Sequence, residues 1–386
     1  MTLLRYLITT TPLLIDDQIL KLLSSNINEF YRIAEKVKFK STYMVRVISI
    51  VLALSSIVTI PGVSQVKLPK PTGTYKVGTI VDLVVDETRK EKAVDNNTQR
   101  TLPIQIWYPC NEKDLPEKTA PYFKDIKKYV GLWGEERVKR LGSFKTNSFY
   151  DSNVAVEDGP YPVILFSHGW KSTRFLYTSI LEELASHGYI VVGIDHPYMG
   201  SVLMPDGAIT PSTEDHFSGP EEMLKYYADD LAVVLKYLNA LNANGNFKGM
   251  IDLDNVGAMG HSNGFVPVMG ALQMNEKIKT ALLQDKFENG LEFLFLSEKP
   301  VMVIKTKGAE IPNDDFRKNL KGDFYFVDFD FDNHLSVSDI SLIQEDSKQQ
   351  QKNMMDIKAQ TLLFFDAYLR AQDKSDLLNQ YLLNSR

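Results

Sequence analysis

Three features of the 386-residue chain predict an α/β fold, with a mostly parallel central sheet, helices on both faces and an N-terminal hydrophobic segment in front. Strand-like and helix-like stretches alternate from Thr74 onward. Tyr161-Pro162-Val163-Ile164-Leu165-Phe166 is apolar throughout, as a strand covered on both faces must be. Val256-Gly257-Ala258-Met259 runs straight into Gly260-His261-Ser262-Asn263-Gly264, a spacing that sets a serine on a sharp strand-to-helix turn with its hydroxyl clear of the sheet.

Taken in order, the chain first carries an extension, 1–68. Within it Val47 to Ile60 has no charge and follows Lys36, Lys38, Lys40 and Arg46. A run of about 14 apolar residues suits the core of a signal peptide better than a full membrane span, which needs about 20. Residues 44–64 are therefore expected to be a signal peptide or membrane anchor, with translation from Met44 giving the better signal. The segment predicts an extracytoplasmic protein, secreted or tethered. The Pro-containing stretch Lys67 to Gly73 separates it from the folded domain, 69–386.

In that domain Tyr75 to Val85 and Leu102 to Tyr108 read as strands, with the polar stretch Asp86 to Arg100 between them. Glu112 to Tyr150 reads as loops and short helices over the surface. The central strand at Tyr161 leads into Ser167-His168-Gly169-Trp170. Thr178 to Ser186 has the apolar spacing of a helix, stopped by His187-Gly188, and Tyr189 to Ile194 is again a strand. Pro205-Asp206-Gly207 marks a turn in a hairpin that could form one wall of a site at the sheet's C-terminal edge. Glu221 to Leu241 carries a long apolar stripe and reads as a core-facing helix. Beyond Ser262 a helix is followed by strands at Thr280 to Leu283, Val301 to Thr306 and Phe324 to Phe329.

Composition excludes several classes of function. A net charge of −6 argues against a nucleic-acid partner. With one cysteine, Cys110, the chain can form neither an intrachain disulfide nor a cysteine zinc site. No two histidines have metal-ligand spacing, so no metal is expected.

A serine hydroxyl needs a base to take its proton and a carboxylate to orient that base. Ser262 is the candidate nucleophile, framed by Gly260, His261 and Gly264. His334 is the only histidine after it and hence the candidate base. Asp285, at the end of a strand, leads as the acid, with Asp314, Asp315, Asp328, Asp330 and Asp332 as rivals. The backbone N–H groups of Trp170 and Asn263 are the candidate oxyanion donors, with His168 and Gly169 supporting that loop. His187 and His216 read as structural, and His196, at a strand end, could approach the site.

Taken together, Leu102-Pro103-Ile104-Gln105-Ile106-Trp107-Tyr108-Pro109, Pro162 to Gly169, Leu184-Ala185-Ser186-His187-Gly188-Tyr189, Asp195-His196-Pro197, Ile251 to Gly257 and Gly260-His261-Ser262 resemble the platelet-activating factor acetylhydrolases of the plasma and type II kind, with their bacterial relatives. The resemblance implies an α/β-hydrolase fold and a cofactor-free serine esterase cleaving short or oxidised acyl groups from phospholipids or related esters. It also implies nucleophile, acid and base at Ser262, Asp285 and His334, and donors at Trp170 and Asn263. A general carboxylesterase or polyester hydrolase is the alternative within the fold, and a catalytically silent binding module the alternative outside catalysis. One departure, Phe265 directly after Gly264, predicts a looser elbow helix or a narrower pocket.

Overall fold

The computed structural model describes residues 67–94, 97–285, 295–307, 314–330, 334–343 and 347–373. The hydrophobic segment 44–64, Asp332 and the side chains of Asp314 and Asp315 lie outside the described residues. Among the described residues nine strands follow in chain order: β1 (Lys76–Lys90), β2 (Gln99–Cys110), β3 (Ser148–Tyr150), β4 (Tyr161–Ser167), β5 (Ile190–Ile194), β6 (Ile251–His261), β7 (Ile278–Gln284), β8 (Val301–Thr306) and β9 (Phe324–Phe329). They form one sheet in the order β3-β1-β2-β5-β4-β6-β7-β8-β9. From β5 to β9 every neighbouring pair is parallel, while β2 is antiparallel to both β1 and β5.

The first hairpin is longer than its apolar residues suggest. β1 continues to Lys90 and β2 begins at Gln99, so both ends of the polar stretch belong to the two strands. The outer face of β1 is open to solvent, which lets charged residues take strand geometry without being buried. A third short strand, β3, lies in the stretch read as surface loop. That stretch also contributes core: Tyr122, Tyr129 and Leu141 are buried, the last on α2 (Glu135–Gly142), which follows the single turn α1 (Val130–Trp133).

Strand alternation divides the core between the two faces. From β4, Val163 and Leu165 join a cluster with Leu231, Val234 and Leu238 of α4 (Pro220–Asn242) and with Val268 of α5 (Phe265–Met274). Ile164 and Phe166 point the other way. They meet Ile180, Leu181 and Leu184 of α3 (Thr178–Ser186) and Phe364 and Phe365 of α7 (Ser347–Leu369). A further short helix, α6 (Asp314–Asn319), leads into β9. The turn at Pro205-Asp206-Gly207 forms with a single bridge, Leu203 to Ile209, in place of a full hairpin.

The sheet also fixes where a site can lie. β4 sits between β5 and β6, so the chain leaves β4 toward one neighbour and later returns to its other side. Such a switch point opens a crevice outside the C-terminal ends of the strands. Ser167-His168-Gly169 and Ser262 both stand there, since Ser167 pairs with Gly260 in adjacent parallel strands.

A charged cluster on the α4 side of the sheet lies inside this frame. Asp230, fully buried in the apolar stripe of α4, accepts hydrogen bonds from Arg100 (3.1 and 2.6 Å) and Arg89 (2.8 Å) and contacts His196 Nδ1 at 2.8 Å. Burial alone would raise its carboxyl, but Arg100, His196 and their hydrogen bonds outweigh that and hold it well below the usual carboxylate range. Removing Asp230 leaves the buried Arg100 with one carboxylate, Glu91, against its charge and takes away the partner of His196 Nδ1. Asp230→Ala is expected to lose about 3–5 kcal/mol of stability in urea unfolding at pH 7, where an exposed aspartate would lose under about 1.

Candidate active site

The elbow is built by close backbone approach. β6 ends at His261, a 3-10 turn covers Ser262–Gly264, and α5 starts at Phe265. Ser262 has φ +52°, a left-handed conformation that costs a non-glycine residue about 1–3 kcal/mol and is held only by its surroundings. A Cβ on Gly260 would stand 2.3 Å from the Gly264 oxygen, and one on Gly264 would stand 2.2 Å from the Ser167 oxygen. No side chain fits at either position, and the tight seating of the turn against the end of β4 follows. Phe265 does not loosen this contact. Its ring is buried edge-on to Phe295 at 5.3 Å and is not among the residues lining the cleft, so it neither displaces the helix nor narrows the pocket.

Ser262 and His334 line one cleft of about 360 Å³, together with Gly169, Trp170, Leu176 and Tyr177. Trp133 and Ile340 add apolar wall, and Arg137 and Lys171 lie at the edge. Among the described residues Ser262 Oγ has no hydrogen-bond partner. His334 stands at the start of a 3-10 turn, His334–Val337, and its Nδ1 contacts Asp285 Oδ2 at 2.8 Å. Asp285 directly follows β7, with φ +61°, and its carboxylate is buried. Its other oxygen, Oδ1, accepts from the Thr306 N–H and the Thr306 hydroxyl, each at 2.6 Å. Both carboxylate oxygens are therefore occupied. Of the rival acids whose side chains are described, Asp328 pairs with Lys305 and Asp330 with Lys307.

The loop after β4 is locked from beneath. His168 is buried, and burial pushes its imidazole down to about 4, which keeps the ring neutral. Nε2 accepts the His196 N–H at 3.1 Å, so the proton sits on Nδ1, which donates to the Gly169 oxygen at 2.8 Å. Ser172 N–H donates to the same oxygen at 3.1 Å. With that carbonyl fixed, the planar trans peptide directs the Trp170 N–H the opposite way. A Cβ on Gly169 would come within 3.0 Å of Ser262 Cβ, so this peptide lies against the serine.

The remaining histidines fall outside the cleft, apart from His261. His196 is fully buried beneath the loop, bridging Asp230 and Ser167 Oγ (3.0 Å). His187 caps the end of α3 and contacts Glu183 at 3.1 Å, and the His216 ring lies tilted against Phe217. Cys110 is buried, and burial pushes its thiol up to about 12, which leaves it unreactive at neutral pH. His261, Asp285 and His334 place ligand-type atoms within 4.8 Å of one another. A cation there would compete with bonds already made, since both His261 nitrogens and His334 Nδ1 have protein partners.

Two features escaped the sequence reading. The interaction of His261 with the His334 backbone joins residues 73 apart, and Asp230 hides as a charge within an apolar helical stripe. An Asp flanked by buried positions on an amphipathic helix is the one available signal for the second.

A mostly parallel α/β sheet with a strained serine elbow at its switch point and a His-Asp pair beside it defines a class consistent with the α/β-hydrolases. A ferulic acid esterase from Streptomyces cinnamoneus shares the fold, with a TM-score of 0.68 and 22% identity over 81% of this chain and 96% of that one. Within the class, the chain is similar to the platelet-activating factor acetylhydrolases: residues 60–202 match the family model described as platelet-activating factor acetylhydrolase, isoform II. The enzymes of that name from Bos taurus and Canis lupus familiaris are 23% and 24% identical, over 68% and 67% of this chain. The matches span 65% and 64% of those relatives' length. Residues 153–282 also match the chlorophyllase family model.

Proposed function

We propose that this chain is a serine esterase that hydrolyses short-chain or oxidised acyl esters, phospholipid sn-2 esters among them, through an acyl-enzyme. The observation that carries the reading is the buried Asp285 bonded to His334 Nδ1 at 2.8 Å in the cleft that Ser262 enters from a strained elbow. Asp285 holds the proton on His334 Nδ1 and leaves Nε2 free to act as base. His334 takes the Ser262 proton as Oγ attacks the ester carbonyl. The tetrahedral oxyanion is bound by the N–H groups of Trp170 and Asn263, each such donor being worth about 3 kcal/mol of barrier. Collapse expels the alcohol, protonated by His334, and water repeats the sequence on the acyl-enzyme. No cofactor enters these steps.

The cleft supports the substrate class. At about 360 Å³ it lies at the small end of ligand pockets, which run to roughly 1,000 Å³, and its walls are largely apolar. A short acyl chain fits that space. The names of the relatives point the same way, being acetylhydrolases. Secretion or membrane attachment through 44–64 accompanies this reading; among the described residues no helix is long and apolar enough to cross a membrane.

The test is hydrolysis by the full chain of p-nitrophenyl acetate, butyrate and decanoate beside a phospholipid with an sn-2 acetyl group. The expected result is cleavage of the acetyl phospholipid and the short esters, with decanoate the poorest. Cleavage of the simple esters alone favours a general carboxylesterase or polyester hydrolase, a reading to which the likeness to the ferulic acid esterase lends support. Inertness toward all four, with no labelling by a fluorophosphonate, favours a binding module.

A further inference from the structure

We propose that Tyr177 and His261 form a positioning pair, which holds the main chain of His334 in register with Ser262 and keeps His261 in a single neutral tautomer. The inference rests on the reading of His334 as the base. His261, the last residue of β6, and Tyr177, just before α3, are both buried. The Tyr177 hydroxyl lies 2.8 Å from His261 Nδ1, and His261 Nε2 lies 3.0 Å from the His334 carbonyl oxygen. A carbonyl can only accept, so Nε2 carries the proton and Nδ1 must accept from the phenol. The phenol can always donate, because burial pushes its ionisation up to about 12.

The arrangement answers a structural difficulty. His334 is 44% exposed and begins a short turn, a poor platform for a base that must be held within about 0.5 Å of its working position. Asp285 fixes its ring from one side, and His261 fixes its backbone from the other. The two imidazoles are also close, with ring centres 4.6 Å apart. His334 becomes a cation when it takes the serine proton, and a second cation at that distance would oppose the step. Burial, and then the nearness of His334, hold the His261 imidazole well below its ordinary value, so it stays neutral while it anchors.

This predicts which side chains can serve at position 261. Glutamine, neutral at all pH, offers an N–H for the His334 carbonyl and an oxygen for the Tyr177 hydroxyl; leucine offers neither. In the full-length protein His261→Leu and Tyr177→Phe are expected to lower kcat by about 10- to 100-fold, the penalty of displacing a reacting group by up to about 1 Å, with KM little changed. His261→Gln is expected to recover most of kcat. Selective ¹⁵N-histidine NMR of the unmutated protein should show His261 as the Nε2–H tautomer. An Nδ1–H tautomer overturns the proposal without any variant. So does wild-type kcat in His261→Leu alongside an inactive Ser262→Ala, or a His261→Gln variant as slow as His261→Leu at equal melting temperature. Retained activity in Ser262→Ala marks the separate failure of the esterase reading.

Discussion

Ser262→Ala is expected to lower turnover by roughly a millionfold, close to the uncatalysed rate plus what binding and the oxyanion donors supply. The size follows from the loss of the acyl-enzyme route altogether. With Oγ gone, His334 has no proton to take and no covalent intermediate can form. The hydroxyl is exposed to the cleft and makes no hydrogen bond among the described residues, so its removal should leave stability almost unchanged. The alanine would inherit the left-handed backbone at φ +52°, a cost already present in the serine. Steady-state hydrolysis of p-nitrophenyl butyrate, with fluorophosphonate labelling as a second readout, checks this. Ordinary rates or undiminished labelling would remove Ser262 as nucleophile.

Asp285→Asn is expected to cost about 10⁴-fold in kcat, the loss seen when a triad acid is made neutral with its geometry retained. The hydrogen bonds at this carboxylate explain why the change should be so harmful. Oδ1 receives two donors from Thr306, the N–H and the hydroxyl. An asparagine must therefore turn its oxygen toward Thr306 and its NH₂ toward His334 Nδ1. Facing a donor, Nδ1 becomes an acceptor, the imidazole proton moves to Nε2, and the base can no longer take the serine proton. KM should change little, because nothing in the binding cleft moves. Unchanged turnover in Asp285→Asn would pass the role to another carboxylate.

These effects are local, while the other predictions are structural. The loss of stability in Asp230→Ala comes from an interior charge cluster in which Asp230 of α4 meets Arg100, Arg89 and His196. The anchoring by Tyr177 and His261 should appear in kcat alone.

How much of this could be read along the chain depended on how far apart the interacting residues lie. Tyr161 to Phe166 announced itself as a continuous apolar run, and Thr178 to Ser186 by helical spacing, because burial in a covered sheet or against its face imposes those patterns residue by residue. The elbow was legible because its glycines are near in sequence: a Cβ on Gly260 would meet the Gly264 oxygen, whereas the approach of Gly264 to Ser167 belongs to the fold. The extent of the first hairpin was not, since the exposed face of β1 tolerates charge, as at Glu87 and Lys90, and the paired Asp86 and Arg100 are buried with ion-pair partners that the local pattern does not show. The buried residues of the stretch after β2 were also missed, because Tyr122 and Tyr129 have no periodic neighbours to mark them.

The sequence by itself determined the fold class, the candidate nucleophile and, through the lack of any later histidine, the candidate base. It narrowed the acid to a few carboxylates. Tertiary structure alone decided that Asp285, 49 residues from His334, is bonded to it, that Asp230 joins Arg100 across 130 residues, and that Tyr177 contacts His261, 84 residues away, next to the His334 carbonyl. The physical reason is range. Burial and turn geometry leave their mark on neighbouring positions, whereas a hydrogen bond between distant segments needs only one suitable residue on each, and neither segment carries a record of the other.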